Sequence, residues 1–369
     1  MPTTRAARSR ASHLTFVTAA TLAVGCAARV HPSPPMASLE SAVDSVLAPY
    51  AAPGAPGASV LVVRDGDVVL AKAYGLSDLE ARVPATPRTN YRLASLTKQF
   101  TATAAMLLAA DGKLRLDDRA SRFLTELPAY ARDVTIRQLL THTSGLPAYE
   151  DFVPDSQTTQ VHDRDVPALI SRADSLYFPA GAAYRYSNTG YALLALIVER
   201  ASGTGFARFL HDHIFAPLGM SATVAFENGI STVANRAWGY SARDGCWTRT
   251  DQSSTSAVLG DGGIYTSIDD LVRWDRALDE HALVSAPQQR EAWTAATLTD
   301  GRRSGYGFGW FVDDSASEVR LRHHGETMGF TNAILKIPAR RLTIVLLTNR
   351  TGGDPWDLAA RIAKLDALR

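Results

Sequence analysis

Lysine and cysteine are both scarce in this chain. Lysine stands only at positions 72, 98, 113, 336 and 364, and arginine supplies the rest of the fixed positive charge. A lysine inside a motif is therefore more informative here than in an average chain. The two cysteines, Cys26 and Cys246, exclude a disulfide framework, because Cys26 falls in a segment read below as an export signal. Neither belongs to a Cys-x-x-Cys pair or a Cys/His cluster, so spacing offers no zinc site. The net charge is only +1 over 369 residues and no basic stripe is visible, which argues against a nucleic-acid partner. Past the N-terminal segment, no apolar run is long enough for a transmembrane helix. The remaining composition, 46% hydrophobic and 20% charged, suits one large domain or two small ones.

Residues 1–26 carry the pattern of an export signal and are set apart from the fold. Arg5, Arg8 and Arg10 form a basic head, and residues 14–25 are uncharged and mostly apolar. The segment ends in Leu22-Ala23-Val24-Gly25-Cys26, similar to a bacterial lipobox except that Ala23 stands where leucine is usual. Two outcomes fit this pattern. Either Cys26 receives lipid and anchors the protein to a membrane, or cleavage occurs at a neighbouring small residue and Cys26 is incidental. The expected location is thus periplasmic, free or as a membrane-anchored lipoprotein. Residues 27–37, with three prolines between His31 and Pro35, read as a tether, and residues 38–369 as a single catalytic domain.

Within that domain the strand signals cluster at the two ends. Residues 58–63 and 68–74 are β-branched runs separated by Arg64-Asp65-Gly66-Asp67, whose Asp-Gly predicts a hairpin. Residues 319–323, 331–337 and 342–348 are three further strand candidates. Helices are expected at 39–47 and 355–368. Between the strand groups, residues 96–110, 136–141, 191–201, 206–215 and 267–278 have helical patterning, and residues 150–165 read as a loop. Grouped strands favour an antiparallel sheet. The expected fold is α+β, with a sheet from about 38–90 and 300–369, flanking helices, and a helical region inserted over about 110–260.

Three short constellations could carry chemistry. In Ser95-Leu96-Thr97-Lys98, residues one helical turn apart share a face, so a desolvated lysine could act as base for the serine. The N–H groups at that helix start could stabilise an oxyanion. In Tyr186-Ser187-Asn188, the tyrosine beside a lysine could have a lowered pKa and relay protons, while the asparagine could hold a substrate amide and fix Lys98. In His323-His324-Gly325-Glu326, placed at a strand edge, the Glu326 N–H could be a second oxyanion donor. Alternation along that strand puts Leu321, His323 and Gly325 on one face, and Arg320, Arg322 and His324 on the other. Each motif alone has a plain structural explanation as a helix cap, a turn or a paired strand.

Taken in order, the three resemble the serine β-lactamase and D,D-peptidase superfamily, on the branch holding class C β-lactamases, D-aminopeptidases, carboxypeptidases and esterases. The likeness extends to TIRQLLTHTSGLP, PAGAAYRYSNTGYALLALIVERASG, IFAPLGM and GDGGIYTSIDDLVRW, and runs from about residue 38 to the end. It implies Ser95 as nucleophile and Lys98 as its activating base, with Tyr186 sharing proton transfer. Asn188 would orient the substrate, and His323 would stand where the third motif's cation sits. The N–H groups of Ser95 and Glu326 would form the oxyanion hole, and Gly325 and Glu326 would join Asn188 and His323 in binding substrate. Whether Lys98 or Tyr186 takes the serine proton stays open, as the cluster titrates together. No metal or cofactor is implied. The expected substrates are a small ester, a peptide or a β-lactam.

One departure from the class C pattern is chemical. That class has lysine where His323 stands, and a histidine with an ordinary pKa of about 6.5 is mostly neutral at pH 7. Poor β-lactamase activity is therefore expected, with an esterase or D-amino-acid peptidase favoured. A penicillin-binding or sensory protein that acylates without turning over is the rival. Two further groupings are read as structural. His211 and His213 lie two apart on a helix and do not share a face, and His142 with Ser144 lacks a nucleophile elbow.

Overall fold

The Asp65-Gly66 turn starts the architecture. Both residues have left-handed backbone, φ 55° and 88°, the twist that joins two adjacent antiparallel strands tightly. They connect β1 (Ala58–Arg64) to β2 (Asp67–Tyr74). In this computed structural model, which describes residues 36–315 and 318–368, the strands from the far end of the chain complete the same sheet. These are β3 (Phe311–Asp313), β4 (Arg320–Thr327), β5 (Phe330–Ile337) and β6 (Leu342–Thr348). The spatial order is β3-β4-β5-β6-β1-β2, and every neighbouring pair is antiparallel. The two chain ends meet where β1 pairs with β6, from Ala58 opposite Thr348 to Arg64 opposite Leu342. The export signal with Cys26, and nearly all of the expected tether, lie outside the described residues.

Side-chain alternation divides the sheet into two buried faces. Val60, Val62, Leu335, Ile344 and Leu346 pack with Leu39, Val43 and Leu47 of α1 (Met36–Leu47). Ala359 and Ile362 of the C-terminal helix, Pro355–Ala363, join them. Leu61, Val63, Ile334, Val345 and Leu347 face the inserted region. There they share a core with α2 (Lys98–Ala110), α3 (Asn188–Ser202) and α4 (Ile268–Glu280). β5 and β6 are buried along their whole length, as apolar strands covered on both faces must be.

Several local details differ from the sequence expectation. The segment read as a helix over 206–215 starts as an α-helix, Phe206–Leu210, and widens into a π-turn, His211–Phe215. The wider turn lets Phe209 and Leu210, and then Ile214 and Phe215, all reach the core. The expected loop at 150–165 holds single helical turns at Tyr149–Phe152 and Asp163–Asp165. The inserted region is mainly helical and also carries a hairpin, Tyr240–Arg243 with Cys246–Arg249, in which Cys246 is exposed and free. The His323-His324-Gly325-Glu326 motif is a correction of another kind. It lies inside β4, paired with residues 331–334, and the hairpin turn falls later, at Met328-Gly329. The motif is still at an edge, because β3 pairs only with Arg320–Arg322 and leaves that side of His323–Thr327 open.

A buried ion triad ties the sheet to α4. Lys336 of β5 lies 2.8 Å from Asp275 and 2.6 Å from Asp279, one helical turn apart, and Thr343 Oγ1 donates to Asp275 at 2.6 Å. The lysine side chain is 1% exposed. Removing one member of such a set leaves a desolvated charge without its partner. Lys336→Ala is expected to lower unfolding free energy by about 3–5 kcal/mol in urea titrations. A loss under about 1 kcal/mol would mean that solvent relieves the aspartates and that the triad does not anchor α4.

Candidate active site

Ser95 sits where the chain turns from the edge of a small sheet into α2. Ala94 before it has left-handed backbone, φ 49°, a costly conformation for a residue with a Cβ. A tight turn over Ala94–Thr97 then leads into α2, which begins at Lys98. Of residues 91–100, Ser95 alone is not buried. Strand β4 presses against this turn at Gly325. A Cβ there would come 2.1 Å from the Leu93 carbonyl oxygen and 3.2 Å from the Ser95 nitrogen. Glycine is required at this position by contact distance.

Lys98 is fully buried, and its amine makes three hydrogen bonds. It donates to Ser95 Oγ at 3.0 Å, to Asn188 Oδ1 at 2.8 Å and to the Asp261 carbonyl at 2.9 Å. Burial lowers its pKa to about 8, with the carboxyls of Asp261 and Glu150 opposing. Asn188 opens α3, and its amide nitrogen donates to Glu150 Oε1 at 2.7 Å. The second and third members of the sequence-derived set are thus brought to the first.

Tyr186 is also brought there, though not in the expected electronic state. Burial raises its pKa well above 10, and Ser95 is the leading group that opposes the rise. The expectation of a lowered pKa fails because burial outweighs the neighbouring amine. Lys98 Nζ lies over the face of the Tyr186 ring, 4.9 Å from its centroid. The Tyr186 hydroxyl is buried and makes no hydrogen bond of ordinary geometry. It is a neutral phenol at rest.

His323 faces the same space, and the exposed His324 and Glu326 side chains point the other way. His323 Nδ1 lies 2.7 Å from the His324 carbonyl, which can only accept, so Nδ1 carries the proton. Nε2 then accepts from Tyr306 Oη at 2.8 Å. Burial, followed by the charge of Lys98, holds the pKa well below the ordinary histidine value. The ring is neutral with both nitrogens engaged. Arg322 is stacked on the far side, 4.6 Å from the Trp356 ring and 5.2 Å from that of Phe311.

Sequence reasoning passed over several neighbours. Tyr149, Glu150 and Asp261 surround Lys98, and Asp261 stood in plain view within the GDGG run. Tyr306 came from a segment with no pattern of its own. His142 lies beneath the site with φ 56°, its Nδ1 accepting from the Ser187 N–H at 3.2 Å and its ring 4.3 Å from that of Tyr186. Ser144 is engaged elsewhere, its Oγ accepting from the Leu146 N–H. His211 pairs with Asp212 at 2.7 Å, whereas His213 stacks on Phe209, so the two histidines diverge. Among the described residues, no three His, Cys, Asp or Glu side chains converge as metal ligands.

The comparisons agree with this geometry. The family model described as "Beta-lactamase" matches residues 43–369. Penicillin-binding protein 4* of Bacillus subtilis is 32% identical over 316 residues, covering 82% of this chain and 70% of that protein. Protein flp of Staphylococcus aureus is 31% identical over 304 residues, covering 80% of this chain and 59% of its own length. Among solved structures, the octameric penicillin-binding protein homologue of Pyrococcus abyssi superposes with a TM-score of 0.75 at 28% identity, over 89% of this chain and 76% of that one. The D-amino acid amidase of Ochrobactrum anthropi SV3 gives 0.74 at 25% identity, over 90% and 98%. With its antiparallel sheet from both chain ends and its Ser95–Lys98 pair beneath a neutral tyrosine, the chain belongs to the β-lactamase family, within the serine β-lactamase and D,D-peptidase superfamily.

Proposed function

We propose that this protein is an exported serine hydrolase that works through an acyl-enzyme on Ser95. The observation that carries the reading is the 3.0 Å hydrogen bond between Ser95 Oγ and a buried amine whose pKa burial brings down to about 8. A serine hydroxyl is a weak nucleophile until a base takes its proton as it attacks. Lys98, as free amine, accepts that proton and Oγ adds to the substrate carbonyl. The Ser95 and Glu326 N–H groups hold the oxyanion. Tyr186, a phenol over the same amine, hands a proton to the leaving group, and water then releases the acyl group by the reverse path. Asn188 holds the substrate amide beside Lys98. Every step is acid–base and nucleophilic, with no cofactor. Export, and lipid on Cys26, rest on the pattern of the first 26 residues.

The substrate is read as an ester or an amide of a D-amino acid rather than a β-lactam. A substrate carboxylate would find a neutral, doubly hydrogen-bonded His323 where a cation would have to stand, and Arg322 behind the strand. The likeness to a D-amino acid amidase supports the amide reading. The name of the Bacillus relative favours a second one, a penicillin-binding protein that acylates and stalls.

Two assays decide between these. Hydrolysis of p-nitrophenyl butyrate is expected to continue over many turnovers and to fall roughly a thousandfold or more in Ser95→Ala. A single burst, with a persistent acyl adduct on Ser95 by mass spectrometry, would favour the stalled protein. Parent-level activity in the variant would remove Ser95 from the mechanism. Because the base works deprotonated, kcat/KM should rise through about pH 8 and fall away below it. For a cephalosporin, kcat/KM is expected below about 10⁴ M⁻¹ s⁻¹, the low end for working enzymes. A value well above that would overturn the argument from His323.

A further inference from the structure

Two carboxyl groups beside Lys98 have no part in the steps above. Starting from the amine, Asn188 Oδ1 accepts at 2.8 Å and Asn188 Nδ2 donates to Glu150 Oε1 at 2.7 Å. Glu150 is joined by a peptide bond to Tyr149, whose hydroxyl donates to Asp261 Oδ2 at 3.0 Å. The carbonyl of Asp261 accepts from Lys98 at 2.9 Å, which closes the circuit. Thr189 braces it across the middle, accepting from the Tyr149 N–H at 2.9 Å and donating to the Pro147 carbonyl at 2.7 Å. The result is a hydrogen-bonded ring with a nucleophile's base as one member and two carboxyls as others.

We propose that Asp261 and Glu150 are positioning residues for the base: through this ring they aim the Lys98 amine at Ser95 and hold its proton until rising pH releases it. The proposal rests on the reading of Ser95 as nucleophile. Lys98 has few charges near it. On its own helix side stands Ser95. Asn188 and Tyr191 face it from α3, and Tyr186 from just before, with Lys98 Nζ 5.4 Å from the Tyr191 ring. His142 and His323 are both held neutral, by burial first and then by the charge of the lysine. The negative groups in the set are Glu150 and Asp261. Behind Asp261 lie Arg92, spent on the Gly262 and Ser256 carbonyls, and Asp163, which accepts from the Leu259 and Gly260 N–H groups. Burial raises Asp261 to about 7 while Lys98 opposes it, so the two groups exchange influence across the range where the enzyme would work.

The sign of the effect follows from the charges. An ionised carboxylate stabilises the ammonium, so removing one lowers the pKa of the base and makes the free amine available at lower pH. A merely structural role would depress the rate at every pH and leave the profile in place.

The test is kcat/KM against pH for p-nitrophenyl butyrate, with parent, Asp261→Asn, Glu150→Gln and Ser95→Ala. Asparagine and glutamine keep an acceptor for the Tyr149 and Asn188 donors while removing the charge. In both carboxyl variants the acidic limb is expected to move down by up to about one pH unit. Because Asp261 itself titrates at about 7, the gain in Asp261→Asn is read just below the parent limb, between about pH 7 and 8, where relative activity rises severalfold. Tyr149→Phe, which opens the ring and leaves Asp261 buried without its donor, is expected to move the limb the same way. It also keeps the question decidable if Asp261→Asn fails to fold. Limbs that coincide with the parent in the variants that fold, while Ser95→Ala abolishes turnover, would overturn the ring and leave the serine mechanism standing. Full activity in Ser95→Ala would bring down both.

Discussion

The amine of Lys98 is taken wholly out of solvent and given three acceptors, and much of the surrounding architecture serves that burial. A bare ammonium in such a place would be costly, and the protein meets the cost with the Ser95 hydroxyl, the Asn188 amide and the Asp261 carbonyl. Each acceptor comes from a different part of the chain: a tight turn, the first residue of α3, and the short helical turn Leu259–Gly262. The amine is therefore a point where three segments must converge. Desolvation at that point is what brings a lysine toward the range where it can act as a base near neutrality.

The sheet supplies the opposite wall. Because both chain ends contribute strands, β4 arrives beside Ser95 with its outer edge open beyond Arg322. Its approach is limited by a single atom, the absent Cβ of Gly325, and this brings strand backbone against Ser95. The Lys336–Asp275–Asp279 triad holds the neighbouring strand β5 to α4 on that same face of the sheet, so the sheet is fixed to the inserted region at a second point. Rigid support at more than one point is what a site built on contact distances requires.

Around this pair lies a wall of aromatic and imidazole rings: His142, Tyr186, Tyr306, Phe311 and His323, with centroid separations of 4.3 to 6.2 Å. Its electrostatics are neutral by construction. Burial raises the tyrosines and depresses the histidines, so none of these rings carries charge near neutral pH. The charges close to Ser95 are those of Lys98 and the two carboxyls of its ring. A site of this kind discriminates through shape and hydrogen bonding more than through long-range attraction.

Much of this was legible in the amino-acid order. Strand-like runs in residues 58–74 and 331–348, grouped at the two chain ends and with Asp-Gly between the first two, pointed to an antiparallel sheet from both ends. The one-turn spacing of Ser95 and Lys98 put their side chains together, because a helix repeats locally, and strand parity alone separated His323 from Arg322 and His324. What depends on distant segments could not be read. The pKa of Tyr186 departs from the expectation because spacing places a cation near it and says nothing of the complete burial that raises it. The partner of His323 Nε2 is Tyr306, from a separate segment, and the ring through Lys98 required Tyr149 and Glu150 to meet Asp261 from across more than a hundred positions. Periodicity sets which residues share a face; burial and three-dimensional convergence set their charge.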